Sequence, residues 1–223
     1  AVRIANTYRT PVILLSDLFL ANRTEPWRTP DAGAMPAIDP NFWTAAPPEG
    51  EKFQPYVRDD RLARPWAIPG TPGLAHRIGG LEKEDGGGGI SYDGENHQRM
   101  TDLRAAKVAG VDVPDLEVLG DTDADLLVIG WGSSFGAIRA GVRRARDRGY
   151  KVAHSHFHHL NPLPANTGDV LRAYKRVLLP EMNSGQLSKV LRAEFLVDID
   201  SYAKVKAQPL FAAELEKEIV DRV

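Results

Sequence analysis

Cysteine is absent from this 223-residue chain. Without it the polypeptide has no disulfide, no thiolate metal site and no cysteine-ligated iron–sulfur cluster of its own, a composition that suits a cytoplasmic protein. Also missing is any apolar run approaching the roughly 18 residues needed to span a bilayer, and no secretory-signal pattern opens the chain. Neither sign of charge is in excess: 28 basic side chains stand against 30 acidic ones, a formal net charge of −2. Such a balance gives no general attraction for nucleic acid or an anionic membrane. What remains is the make-up of an ordinary globular protein, 43% hydrophobic and 26% charged. It can bury the core of one domain, or of one domain and a piece of another.

The chain begins at Ala1 without an initiator Met, and an apolar run, residues 11–15 (PVILL), follows almost at once. The β-branched Val12 and Ile13 predict a strand buried on both faces. No set of parallel partners comes after it, so its neighbours are expected in polypeptide upstream of Ala1, or else it forms an edge of the later sheet. The chain is therefore expected to be a fragment.

Residues 23–94 are rich in Pro and Gly, a composition bordering on disorder. They nevertheless hold Trp27, Trp43 and Trp66, three of the four Trp, with Phe42, Phe53, Tyr56 and Tyr92. Disordered linkers are poor in aromatics, and one large ring buries about 150–250 Å². An ordered, meandering arm wrapping over another domain or subunit is expected. Its tip, residues 86–89 (GGGG), has no side chains to anchor it and should be mobile. From Asn96 the spacing turns helical, with Met100, Leu103 and Val108 near one face and Gly110 as a stop.

Residues 116–223 alternate strand and helix patterns. Strands are predicted over 126–130, 151–157, 176–179 and 195–199. Helices are predicted after Ser133 and Ser134, a serine serving as N-cap, with Ile138, Val142 and Ala145 inward; then over 169–174, over 186–192, and from Pro209 to the end. The pattern implies an α/β fold with a parallel sheet covered on both sides.

Four segments invite a functional reading. Residues 130–136 (GWGSSFG) follow a strand and open a helix, the setting of a phosphate cradle. The glycine spacing is one residue too long for the dinucleotide fingerprint, however, and no Walker lysine follows; a tight turn without ligand is the plainer reading. A non-catalytic nucleotide- or coenzyme A-binding module would use this turn. Residues 154–159 (HSHFHH) would place alternate imidazoles on one strand face, but no carboxylate accompanies them, and no metal site is expected. Glu82 and Glu84, beside the glycine tip, could gate a site or pair with a basic partner. Glu181, Asn183 and Gln186 lie at a strand's carboxyl end, where open α/β sheets bind ligands; capping of the next helix explains them equally well. No nucleophile–base constellation emerges.

Several segments, in order, carry a resemblance: residues 10–17 (TPVILLSD), 80–86 (GLEKEDG), 97–104 (HQRMTDLR) with Lys107, 124–133 (ADLLVIGWGS), 161–164 (NPLP) and 181–187 (EMNSGQL). Together they resemble the C-terminal part of the α subunit of 2-oxoacid:ferredoxin oxidoreductases, with the 2-oxoglutarate branch (2-oxoglutarate synthase) most similar. That family cleaves a 2-oxoacid with thiamine diphosphate and Mg, transfers the acyl group to coenzyme A, and passes two electrons through an iron–sulfur cluster to ferredoxin. The resemblance implies three parts: residues 1–22, the end of a pyrimidine-binding thiamine domain; 23–115, an irregular wrapping arm and connecting helix; and 116–223, a domain resembling the transketolase C-terminal domain. It implies oxidative decarboxylation of 2-oxoglutarate to succinyl-CoA by a heteromeric (αβ)2 complex, with a β subunit and the upstream α polypeptide as partners. The cofactors would be held mainly outside this chain, which has no GDG…NN pattern for magnesium and diphosphate. This piece, inactive alone, would supply scaffold, interface and a lid at Glu82 and Glu84. Lys83 stands where the family usually carries His, and Glu84 takes the place of its Asp.

Overall fold

A computed structural model of the chain describes residues 1–24, 26–120 and 123–223. The chain divides into two compact units, Ala1–Leu14 with Glu25–Asp112, and Leu15–Thr24 with Val113–Val223.

The chain opens with helix α1 (Val2–Tyr8). Its Tyr8 is buried, and the hydroxyl accepts a hydrogen bond from the Asp112 N–H at 3.0 Å. Residues 12–15 do not form the predicted strand. They have no regular secondary structure, pair with no strand among the described residues, and are exposed, Ile13 at 83% and Leu14 at 81%. A strand needs a ladder partner for its backbone, and none is supplied here. Helix α2 (Leu18–Asn22) follows, capped by Asp17, whose carboxylate accepts from the Leu20 N–H at 2.8 Å.

The Pro/Gly-rich stretch is irregular over most of its length. Among its described residues, regular structure amounts to one 3₁₀ turn and the two-residue parallel pair β1 (Phe42–Trp43) and β2 (Trp66–Ala67). Trp27, Trp43 and Trp66 all stay exposed. Helix α3 (Gly94–Ala109) begins two residues before Asn96, because the Asp93 carboxylate caps the Glu95 and Asn96 N–H groups, and it ends at Gly110 as expected.

The second unit is built on a five-stranded sheet in the order β3-β5-β4-β6-β7. β4 (Leu126–Trp131), β5 (Val152–Phe157), β6 (Arg176–Glu181) and β7 (Asp200–Ala203) run parallel, and the short β3 (Val118–Leu119) pairs antiparallel with β5. The α/β class with a mainly parallel sheet is thus as expected. β4 shows why: its buried residues alternate, Leu127 and Ile129 into one core and Leu126 and Val128 into the other. The first core is covered by α5 (Thr167–Arg172) and α6 (Gln186–Phe195), the second by α4 (Phe135–Asp147) and α7 (Ala212–Val220).

Two details depart from the sequence reading. Phe195 to Ile199 is not a strand: α6 runs on through Phe195, Leu196 turns left-handed at φ 52°, and the strand comes later as β7. The apolar run misled because Phe195, Val197 and Ile199 pack on the core from a helix end and a connection. Ser134 does occupy the N-cap position of α4, but its side chain makes no capping bond. Its hydroxyl donates back to the Trp131 carbonyl at 2.7 Å, closing the 3₁₀ turn Gly132–Ser134.

Candidate functional site

The carboxyl ends of β4 and β6 place Trp131 and Glu181 beside the N-terminus of α6. Glu181 is 1% exposed. Its Oε1 accepts from the Leu187 N–H at 3.0 Å, the Asn183 side-chain amide at 3.1 Å and the Trp131 indole N–H at 3.3 Å; its Oε2 accepts from the Ser188 N–H at 3.1 Å. A buried carboxylate is tolerable only with such a set of donors, and the helix dipole adds to it. Asn183 turns its side-chain oxygen to the Gly185 N–H at 2.8 Å and the Gln186 N–H at 3.3 Å. Gly185 sits at φ 77°, where a Cβ would lie 2.8 Å from the Ser201 hydroxyl. Glu181 and Asn183 therefore hold the β6–α6 turn together, while Gln186 is exposed. The Trp131–Glu181 link was not foreseen; a Trp ending a buried strand was its only trace in the sequence.

Across the sheet, β5 carries the histidines. His154 is 2% exposed, and its Nε2, like the Nδ1 of His156, is buried without a hydrogen-bond partner. Burial first, and then the Arg139 charge, pushes His154 down to about 4. Burial followed by the charges of His158 and His154 takes His156 to about 4 as well. Both rings lie against Phe135, with centroids at 5.5 and 5.1 Å. A cavity of about 250 Å³ is lined here by Asp115, Glu117 and the three alternate imidazoles. Among the described residues no group of three or more His, Asp or Glu is arranged to hold a metal ion.

The 130–136 turn is packed at its first glycine. A Cβ on Gly130 would come 2.3 Å from Ile138 and 2.9 Å from the Ser134 hydroxyl, whereas Gly132 and Gly136 face open space. The first glycine thus lets strand and helix approach closely.

Within the first unit, the acidic segment is tied to α3. Glu82 accepts from Arg104 at 2.9 Å and also binds His97; these bonds, Arg104 first, hold its carboxyl below the usual range. Asp85 binds Arg58, and Arg99 at 2.7 Å. The Glu84 side chain is exposed, and its carboxylate makes no hydrogen bond or ion pair among the described residues. The glycine tip is not unanchored as expected. The Gly86 carbonyl accepts from the Tyr56 N–H at 3.0 Å and the Gly89 carbonyl from the Glu84 N–H at 2.8 Å, so the backbone supplies the anchors that side chains do not.

Comparison with known proteins adds a family. No protein-family model matches the chain. The 2-oxoglutarate oxidoreductase subunit KorA of Mycobacterium tuberculosis is 58% identical over 217 residues, 96% of this chain and 33% of that protein. This chain is homologous to part of the α subunit of 2-oxoacid:ferredoxin oxidoreductases. The α subunit of 2-oxoacid:ferredoxin oxidoreductase 1 from Aeropyrum pernix is 31% identical over 234 residues, 100% of this chain and 36% of that one. Among solved structures, 2-oxoglutarate:ferredoxin oxidoreductase from Magnetococcus marinus, with 2-oxoglutarate, coenzyme A and succinyl-CoA bound, superimposes with a TM-score of 0.77 at 28% identity. That match covers 86% of this chain and 34% of the solved chain. This α-subunit homologue thus spans about a third of the length of the curated relatives it matches.

Proposed function

We propose that this chain is the C-terminal part of the α subunit of a 2-oxoglutarate:ferredoxin oxidoreductase. The complex would decarboxylate 2-oxoglutarate oxidatively with coenzyme A, giving succinyl-CoA, CO2 and reduced ferredoxin. The observation that carries the proposal is the 58% identity with a 2-oxoglutarate oxidoreductase subunit along 96% of the chain.

The described residues do not fit the iron–sulfur cluster or the metal of such a complex. The chain has no cysteine for an iron–sulfur cluster, and no described set of side chains is arranged for a metal. Thiamine diphosphate, Mg and the cluster would therefore be held by other polypeptide, the upstream α sequence and a β subunit in an (αβ)2 heteromer in the cytoplasm. The contribution of this chain is scaffold and interface. Residues 1–22 would close the pyrimidine-binding domain, 23–115 form the arm, and 116–223 the transketolase C-terminal-like domain. The exposed apolar side chains of Ile13, Leu14, Leu15, Leu18 and Leu20 support a surface that other polypeptide covers.

Glu84, with its unpaired carboxylate beside an anchored turn, is the residue of the acidic segment suited to meeting a basic group of the β subunit; Glu82 is already neutralised within the chain. In the intact complex Glu84→Ala should lower turnover or raise KM, and unchanged kinetics would reduce the segment to solvated surface. The function itself is tested by purifying the native protein anaerobically with its copurifying chains. Reduction of ferredoxin that needs both 2-oxoglutarate and coenzyme A is expected; reduction independent of either, or none, refutes the assignment.

A further inference from the structure

The histidine-lined cavity on β5 has no part in the proposed function, and everything that shapes it belongs to the second unit. β3 pairs antiparallel with β5, with Leu119 opposite His154. Followed back along the chain, that register sets Glu117 abreast of His156 and Asp115 abreast of His158, all on one side of the sheet. These residues line a single cavity of about 250 Å³, with Phe135 as a further apolar wall. The segment that carries the two carboxylates is held in place by its backbone. The Glu117 carbonyl accepts from the Ser155 hydroxyl at 2.8 Å, and the Asn166 side chain clasps the Leu116 backbone with bonds of 2.8 and 3.0 Å.

Several polar groups of this wall lack partners. The carboxylates of Asp115 and Glu117 make no hydrogen bond or ion pair among the described residues. His154 is 2% exposed, and its Nε2 has no partner in a dry place. Burial lowers His154 and His156 to about 4, so both rings are neutral at pH 7. A neutral imidazole keeps one bare nitrogen that accepts a hydrogen bond. The outer torsion of a histidine side chain is broad, which lets the His154 ring turn that nitrogen toward a donor in the cavity.

Charge and hydrogen bonding together select the occupant. No Lys or Arg lines the cavity; Arg139, whose charge reaches His154 from α4, is not part of its wall. An anion would meet two carboxylates and no cation. A metal ion is not served, because the side chains are not grouped to ligate one. A cation bearing several N–H groups answers both needs, its charge facing the carboxylates and its donors the bare imidazole nitrogens. The volume falls below the roughly 300–1,000 Å³ usual for drug-sized ligands, so the occupant is small.

We propose that this cavity binds a small organic cation of guanidinium or primary-ammonium type, with Asp115 and Glu117 taking the charge and His154 accepting an N–H. The site lies wholly within the second unit and stands whether or not the oxidoreductase assignment holds.

Titration calorimetry of the intact native protein tests it, with ethylguanidinium as the probe and ethylurea as an uncharged analogue of the same shape. Ethylguanidinium should bind with a Kd of about 1 mM or tighter, within reach of a ligand of so few atoms, and ethylurea about tenfold more weakly. Asp115→Asn and Glu117→Gln keep the size of two exposed side chains and remove their charge; each should weaken ethylguanidinium by about threefold, and the pair by about tenfold. His154→Phe should weaken it as well. Circular dichroism melting confirms that this last variant is folded; if it is not, Leu119→Trp, which fills the cavity from an exposed position, takes its place and should abolish binding. Absence of binding at about 10 mM ethylguanidinium, equal affinity for ethylurea, or affinity indifferent to the paired carboxylate change overturns the proposal.

Discussion

Glu181 holds the second unit together at one point, because its carboxylate ties β4, β6 and α6. Glu181→Ala removes the acceptor of four N–H groups and leaves the Trp131 indole and the first turn of α6 unpaired in a dry place. Urea unfolding should show a loss of about 2–4 kcal/mol, and Glu181→Gln a smaller one, since the amide still accepts. The residue was legible as the end of a strand, with capping and ligand binding equally open. Its partner Trp131 lies on another strand, and spacing along the chain does not reveal such a pairing.

The buried histidines set a pH dependence. His154 and His156 have folded values near 4, below the unfolded value near 6.5. The unfolded chain therefore binds the extra protons between those limits, so stability is full above pH 6.5 and falls as pH drops toward 4. Each imidazole contributes at most about 1.4 kcal/mol per pH unit. His154→Phe should flatten the dependence over that window in denaturation curves taken at several pH values. An unchanged slope would contradict the burial described.

At the scale of elements, the apolar runs and helical spacing gave β4, α4, β5 and β6 directly, since each carries its own periodic signal. Residues 12–15 and 195–199 failed for one shared reason. Apolar, β-branched runs say that side chains seek cover, not that a ladder partner exists. The packing of α4 on α7 was equally hidden. It depends on Gly141, where a Cβ would meet Leu215 at 2.9 Å and the Ala212 carbonyl at 3.3 Å. Alanine normally favours a helix over glycine by about 1 kcal/mol. Here the clash dominates, and Gly141→Ala should lower stability by about 1–3 kcal/mol in thermal or chemical unfolding. In the acidic segment, Arg104→Ala removes the guanidinium that bonds the Glu82 carboxylate. An NMR titration should then show the Glu82 carboxyl moving up toward its ordinary range; no movement would mean that His97 alone sets it.

At the scale of the molecule, the second unit has two well-filled cores, whereas the first leaves three indoles and the apolar Ile13 and Leu14 exposed, and Leu15 of the second is open as well. Relatives about three times as long offer polypeptide that could cover them. The family resemblance was legible in ordered short segments such as 181–187. What covers the open surface was not, because the covering atoms belong to other sequence. Hydrogen–deuterium exchange across residues 12–20, in the native protein purified with its copurifying chains, measures that cover directly. Slow exchange there, at rates approaching those of β4, is the predicted result; exchange as fast as in an unstructured peptide would contradict a role as the interface-forming part of a larger oxidoreductase.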